Sequence, residues 1–191
     1  MIASPVKNKR TAMKGIVFTE FTEMIENEFG LSLLDELIEK SNLPSKGIYT
    51  AVGTYSHEEM VAMLVAFSEL TAIPVPEALN KFGHHLFKSF ARQYPDFIKG
   101  HDHVFDFLES VEHHIHVEVL KLYPDAQLPR FVCTQKDPQT FLMEYHSDKH
   151  LEWLAKGLIE GALVQFDAVG DVEILHRPES ATSSIIQITL R

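Results

Sequence analysis

The segment VFDFLESVEHHIHVEVLKLYP, residues 104–124, decides how the chain is read. Val104, Leu108, Val111, Ile115, Val119 and Leu122 step by three or four residues, the period of one helix face, until Pro124 forbids continuation. Of the eleven histidines in the chain, His101, His103, His113, His114 and His116 fall in or just before this stretch. The density invites two chemical readings. His113 and His116 are three residues apart and share a helix face, so they can chelate one zinc or copper ion, with His101 and His103 as candidate further ligands. His116 alone, beside Glu112, Val119 and Leu120 at the border of the apolar stripe, can instead offer one neutral imidazole to a haem iron held in an apolar slot. No glutamate stands in a His-Glu-x-x-His arrangement that would activate a water, and helical spacing does not choose between the two.

On the N-terminal side the pattern is helical throughout. Ile16, Val17, Phe18, Phe21, Met24, Ile25 and Phe29 predict a helix closed by Gly30, and a short second helix follows over 32–41. Ser56-His57-Glu58-Glu59 reads as a capping box, with the Ser56 hydroxyl and the Glu59 carboxylate satisfying opposite ends of a first turn. It opens a helix that ends before Pro74. Pro76 suits the first turn of the next, whose stripe of Ala78, Leu79, Phe82, Leu86, Phe87 and Phe90 runs up to Tyr94-Pro95. Beyond Pro124 the period changes to that of strands over 130–135 and 139–145, joined by an Asp137-Pro138 turn. A helix over 149–166 and strands over 172–176 and 184–190 complete the chain. The fold class is α+β, a helix-rich N-terminal two-thirds followed by a small antiparallel sheet with one helix. No internal repeat is present.

Composition narrows the partners. The chain has 191 residues, 45% apolar and 23% charged, which suits one cooperative globular domain. No window holds the roughly 18 consecutive apolar residues of a membrane span. A formal charge of -10, with Lys7-Asn8-Lys9-Arg10 as the basic cluster, opposes a phosphate backbone, so neither nucleic acid nor a membrane is expected as a partner. The single cysteine, Cys133, excludes an internal disulfide framework and any zinc site needing two thiolates from this chain, including a zinc-thiolate redox sensor. A cytoplasmic setting fits best. Residues 1–12 are polar, lack the features of a secretory signal, and are expected to form a flexible extension before a domain over 13–191, with Met13 as a second candidate start. No set of nucleophile, base and oxyanion donor suggests catalysis, so the chain is not expected to be an enzyme.

Five segments, in order, resemble the H-NOX (haem nitric oxide/oxygen binding) family in its stand-alone bacterial form. They are Met13-Lys14-Gly15-Ile16-Val17-Phe18; Ile115-His116-Val117-Glu118-Val119 with Lys121-Leu122-Tyr123-Pro124; Leu128-Pro129-Arg130-Phe131; Tyr145-His146-Ser147; and Ala155-Lys156-Gly157-Leu158-Ile159-Glu160-Gly161. The resemblance implies haem b (protoporphyrin IX iron) enclosed between two lobes, with His116, seven residues before Tyr123, as the iron ligand. It implies that Tyr145 and Ser147 bind the haem propionates as the first two members of a Tyr-x-Ser-x-Arg motif. Lys149 stands where the family has the arginine, replacing a planar bidentate donor with a flexible point charge, so haem is expected to be held less tightly. Pro129 matches a proline that presses on the haem plane and Phe90 an apolar contact below it.

On the gas side the resemblance assigns Val17, Phe21, Leu86 and Leu154, none of which carries a hydrogen-bond donor. Bound O2 gains much from a donor, whereas NO and CO bind ferrous haem without one, and O2-binding relatives have a tyrosine at the Leu154 position. The implied function is a haem-based sensor that binds NO and CO, excludes O2, and signals by release of His116 and a shift of its helix. The implied partner is a separate histidine kinase or cyclic-di-GMP enzyme. Two alternatives remain open at this point: a cofactor-free protein-interaction module of the same fold, motivated by Lys149, and a zinc-binding protein using His101, His103, His113 and His116.

Overall fold

The computed structural model describes residues 12–176 and 182–191. The Lys7-Asn8-Lys9-Arg10 cluster and, apart from Ala12, the expected N-terminal extension lie outside them. Ala12 begins strand β1 (Ala12–Lys14), which pairs antiparallel with β2 (Thr54–Ser56). Helices α1 (Gly15–Phe29), α2 (Leu31–Ser41), α3 (His57–Thr71) and α4 (Val75–Gln93) follow the expected apolar stripes, with Pro76 in the first turn of α4. The C-terminal sheet has the order β3-β4-β6-β5, all antiparallel, built from β3 (Arg130–Gln135), β4 (Thr140–His146), β5 (Gly170–His176) and β6 (Ser183–Leu190). Strand β4 buries Phe141, Met143 and Tyr145, the period-two face of a sheet covered on one side.

Two local expectations are corrected. Ser56 Oγ does cap α3, accepting from Glu58 N at 3.3 Å, but Glu59 does not return to Ser56. Its carboxylate turns inward and accepts from Ser45 N at 3.3 Å, from the Ser45 hydroxyl and from Tyr49 OH at 3.1 Å. Three donors in a half-buried site outweigh one exposed backbone N–H, so Glu59 pins the 45–49 loop instead of the helix start. The long helix over 104–122 is also not regular. It divides into α5 (Val104–Ser110), a π-helical turn (Val111–Ile115) and α6 (His116–Leu122), with His116 N donating to Val111 O. An apolar step of three or four residues tolerates one widened turn, so the side-chain pattern does not reveal it.

The chain forms two cores. Phe18, Phe21, Met24 and Ile25 of α1 pack with Phe67 of α3 and Phe82 of α4, whereas Phe105 of α5 packs with Phe141, Met143, Ile186 and Ile188 of the sheet. Helix α7 (Glu152–Gln165) serves both, giving Leu154 to the first and Ala155, Ile159 and Ala162 to the second. Its packing on α4 is close enough that a Cβ on Gly157 would stand 2.1 Å from Asn80 O, and one on Gly83 would stand 2.4 Å from Leu154 O. Beside this contact Glu160 accepts from Asn80 Nδ2 at 2.6 Å and faces His84 Nε2 at 3.0 Å. A second tie is polar: Lys14 Nζ, on a side chain only 10% exposed, reaches Val52 O and Thr54 Oγ1 at 2.9 Å and Asp125 at 3.1 Å, and lies 5.5 Å from the Tyr123 ring. It thereby joins the chain just past α6 to the β1–β2 pair. Among the described residues no single helix is long and apolar enough to cross a membrane.

Because two backbones meet at Gly83 and Gly157, Gly157→Ala should lower stability by roughly 1–3 kcal/mol, the usual cost of overpacking. Thermal unfolding followed by circular dichroism reads this directly, and an unchanged midpoint would contradict the close contact.

Candidate functional site

Between the two cores lies a cavity of about 320 Å³, within the range of small-molecule sites. The N-terminal half contributes Val17, Leu86 and Phe90 to its wall, the segment around the π-helical turn contributes Val111, Ile115 and His116, and Pro129, Phe131, Tyr145, Ser147, Lys149 and Leu154 complete it. The cavity thus gathers residues from positions 17 to 154 that no local pattern connects. Phe21 is not among them. It lies one turn beyond Val17, fully buried, with its ring edge-on to those of Phe67 and Phe82, and is a core residue of the helical half.

His116 is the nitrogen donor of this wall. Its side chain is 16% exposed, and burial pushes its pKa below the ordinary 6.5 although the Glu112 carboxylate nearby acts in the opposite direction. The imidazole is therefore uncharged at neutral pH. Nδ1 stands 3.3 Å from Glu112 Oε2, which assigns the ring proton to Nδ1 and leaves Nε2 with a free lone pair. Glu112 Oε2 also accepts from Phe131 N at 2.9 Å, so the carboxylate bridges the π-helical turn and β3.

The polar part of the wall follows β4. Tyr145 is buried, which raises its pKa and keeps the phenol protonated; its oxygen accepts from Leu151 N at 3.2 Å. Ser147 Oγ accepts from Lys149 N at 3.1 Å, a local turn that sets the Lys149 side chain beside it. Lys149 Nζ reaches Gln127 O at 3.5 Å and meets no carboxylate among the described residues, while burial lowers its pKa. An apolar slot with one neutral imidazole, two hydroxyls and a cation lacking a carboxylate partner fits a flat apolar group bearing negative charge at its edge, as a haem with its propionates does. His57, at the start of α3, has a buried Nδ1 without a hydrogen-bond partner among the described residues; burial, then the nearby charges of Lys149 and His150, lower its pKa.

Of the other histidines of the cluster, His101 and His103 are engaged elsewhere and His113 and His114 are exposed. His103 caps α5, its Nδ1 accepting from Phe105 N at 3.1 Å, and the His101 ring packs edge-on to Phe107. Among the described residues no three His, Cys, Asp or Glu side chains are grouped for a metal ion, which removes the support for a zinc site of His101, His103, His113 and His116. The residue that the sequence reading passed over is Glu112. It stood beside His116 on the helical wheel, but an acid and a histidine four apart are common on solvated helices.

Comparison with known proteins identifies the family and the fold. The family model described as Haem-NO-binding matches residues 14–174. The chain is 34% identical to an H-NOX protein from K. algicida, solved in the unliganded Fe(II) state, with a TM-score of 0.88 over 94% of this chain and 97% of that one. It is 38% identical to the H-NOX from Shewanella woodyi, solved with IWP-051 in the Fe(II)CO state, with a TM-score of 0.77 over 93% of this chain and 94% of that one. Against an H-NOX protein from S. oneidensis in the Fe(II)NO state the identity is 25% and the TM-score 0.86, over 94% and 99% of the two chains. No curated protein sequence matches.

The direction of the His116 shift carries a stability consequence. Its folded-state pKa lies below its unfolded value, so the unfolded chain binds the proton more readily, and stability present above about pH 6.5 is lost as pH falls through the folded-state value. In the ligand-free protein the unfolding midpoint should fall as pH drops below about 6.5, and His116→Leu should flatten part of that fall, with His57 acting in the same direction. Identical slopes for the two proteins would contradict a neutral, buried His116.

Proposed function

The chain belongs to the Haem-NO-binding (H-NOX) family of haem-based gas sensors, and from that premise we propose that it senses NO in the cytoplasm through a ferrous haem held by His116, with no catalytic activity of its own. The observation that carries this reading is the neutral imidazole of His116 in the wall of an apolar cavity that also displays Tyr145, Ser147 and Lys149. When bound, haem supplies an Fe(II) centre that takes one diatomic gas. The domain is residues 13–191, with Ala12 adding a residue to the first strand.

His116 would hold the iron through Nε2. Tyr145 would donate its retained phenolic proton to a propionate, Ser147 a hydroxyl proton, and Lys149 a neutralising charge. A lysine holds a carboxylate as a point charge rather than a bidentate fork, so the hold is weaker than an arginine would give. Pro129 and Phe90, in the cavity wall from either half of the chain, would be the apolar contacts of the bound group. Val17, Leu86 and Leu154 present no donor, which favours NO and CO, the gases captured on the relatives from S. oneidensis and Shewanella woodyi, and disfavours O2.

His116 is also the tether of α6. Haem held there would make His116 the link between the cofactor and α6, and a gas that loosened that link would leave α6 free to shift relative to the N-terminal half. Val117 and Leu120, one turn apart on α6, are exposed, an apolar pair through which a separate protein, a histidine kinase or a cyclic-di-GMP enzyme, reads that shift.

Two substitutions test the site. His116→Gly should remove the axial nitrogen, and added imidazole should restore the wild-type ferrous absorption spectrum; an unchanged spectrum in the variant would contradict His116 ligation. Leu154→Tyr places a hydroxyl on the gas side and should create an O2 complex that survives in air, whereas an O2 complex already present in the unsubstituted protein would contradict the apolar-pocket argument.

A further inference from the structure

We propose that Glu112 is the positioning residue of the axial histidine, fixing the proton on His116 Nδ1, raising the donor strength of Nε2 and fastening the ligand to strand β3. The inference rests on the reading of His116 as the iron ligand and deepens it.

One oxygen does both tasks. Glu112 Oε2 stands 3.3 Å from His116 Nδ1 and 2.9 Å from Phe131 N. The carboxylate is 24% exposed and the imidazole 16%, so the pair is far less screened than an ion pair on open surface. Among the described residues no lysine or arginine pairs with Glu112, which leaves its charge directed at the ring. Phe131 carries the other end of the link into the cavity wall, with its own ring 5.8 Å from that of His116.

The backbone arrangement belongs to the same device. In a regular helix His116 N would bond to Glu112 O; here it bonds to Val111 O across a π-helical turn that contains Glu112. The widened turn lies where helix, ligand and sheet meet, and the carboxylate is the group common to all three.

The chemistry follows from the 3.3 Å contact between Nδ1 and the carboxylate. A carboxylate accepting the Nδ1 proton fixes the tautomer, orients the ring and makes Nε2 a stronger donor. A stronger donor resists release, so Glu112 opposes the step by which the sensor responds and sets how easily His116 is freed. Because the same carboxylate holds β3, movement of α6 away from the sheet must lengthen the contact with His116 or the bond to Phe131.

The test uses the haem-loaded protein with E112Q and E112A. Gln keeps an oxygen acceptor for His116 and Phe131 but removes the charge; Ala removes both. Resonance Raman of the ferrous, gas-free protein reads the iron–histidine stretching band, which should move to lower frequency in E112Q and further in E112A. In the diamagnetic CO-bound form the His116 Nδ1 proton, seen by NMR, should exchange with water faster in E112A than in the unsubstituted protein. Haem transfer to an acceptor protein should be roughly 10–100-fold faster for E112A. E112Q alone decides the matter if E112A does not fold. A band at the unsubstituted position in E112Q, with H116G lacking the band, would overturn the role of Glu112 and leave His116 ligation standing. A band that persists in H116G would overturn both.

Discussion

An imidazole kept neutral inside an apolar cavity is the constraint on which the rest of this structure depends. A charged His116 would be costly to bury, and a neutral one aimed nowhere would be a wasted polar group in the wall. The structure resolves this with one carboxylate, Glu112, which faces Nδ1 and leaves Nε2 free. The cavity itself is a second cost, since apolar walls without a filling group forfeit the contacts that hold an interior together. A flat apolar group with an acidic edge relieves both, which is why haem and this fold are physically matched.

The cavity exists because the two cores are joined at their borders and not through their middles. On one border α4 and α7 meet backbone to backbone at Gly83 and Gly157, a contact with little room to give. On another, Lys14 gathers Val52, Thr54, Asp125 and the Tyr123 ring, so the end of α6 is tied to the first strands by polar contacts. Packed backbone resists displacement, whereas a partly exposed ion pair yields at little cost. Asp125, 61% exposed, places the softer tie beside the helix that carries His116. Under the proposed sensing role, the stiff and yielding borders together would give a ligand change at a bound haem a direction in which to act.

Much of this was legible in the sequence. The stripes of α1 and α4 and the alternation in β4 and β6 carry their own periods, because a buried face imposes 3.6 or 2 residues on any chain that forms it. The resemblance to H-NOX over five ordered segments pointed to His116, Tyr145, Ser147 and Lys149, and all four line one cavity. What was not legible depends on long-range competition. Glu59 forms a plausible capping box until Ser45 and Tyr49 arrive from a loop with no period of its own. Phe21 shares a helix face with Val17, but α1 is longer than the cavity, so its next turn belongs to the core. The π-helical turn is a matter of backbone hydrogen bonds, and side-chain spacing is nearly blind to it.

The most direct test of the account is the absorption spectrum of the haem-loaded protein, reduced without air and then exposed separately to air and to NO. The account predicts a ferrous spectrum with one axial histidine, no change on mixing with O2, and with NO a spectrum of iron whose sole axial ligand is the gas. A nitrosyl spectrum that retains the histidine at equilibrium would contradict release of His116, and with it the proposed signal.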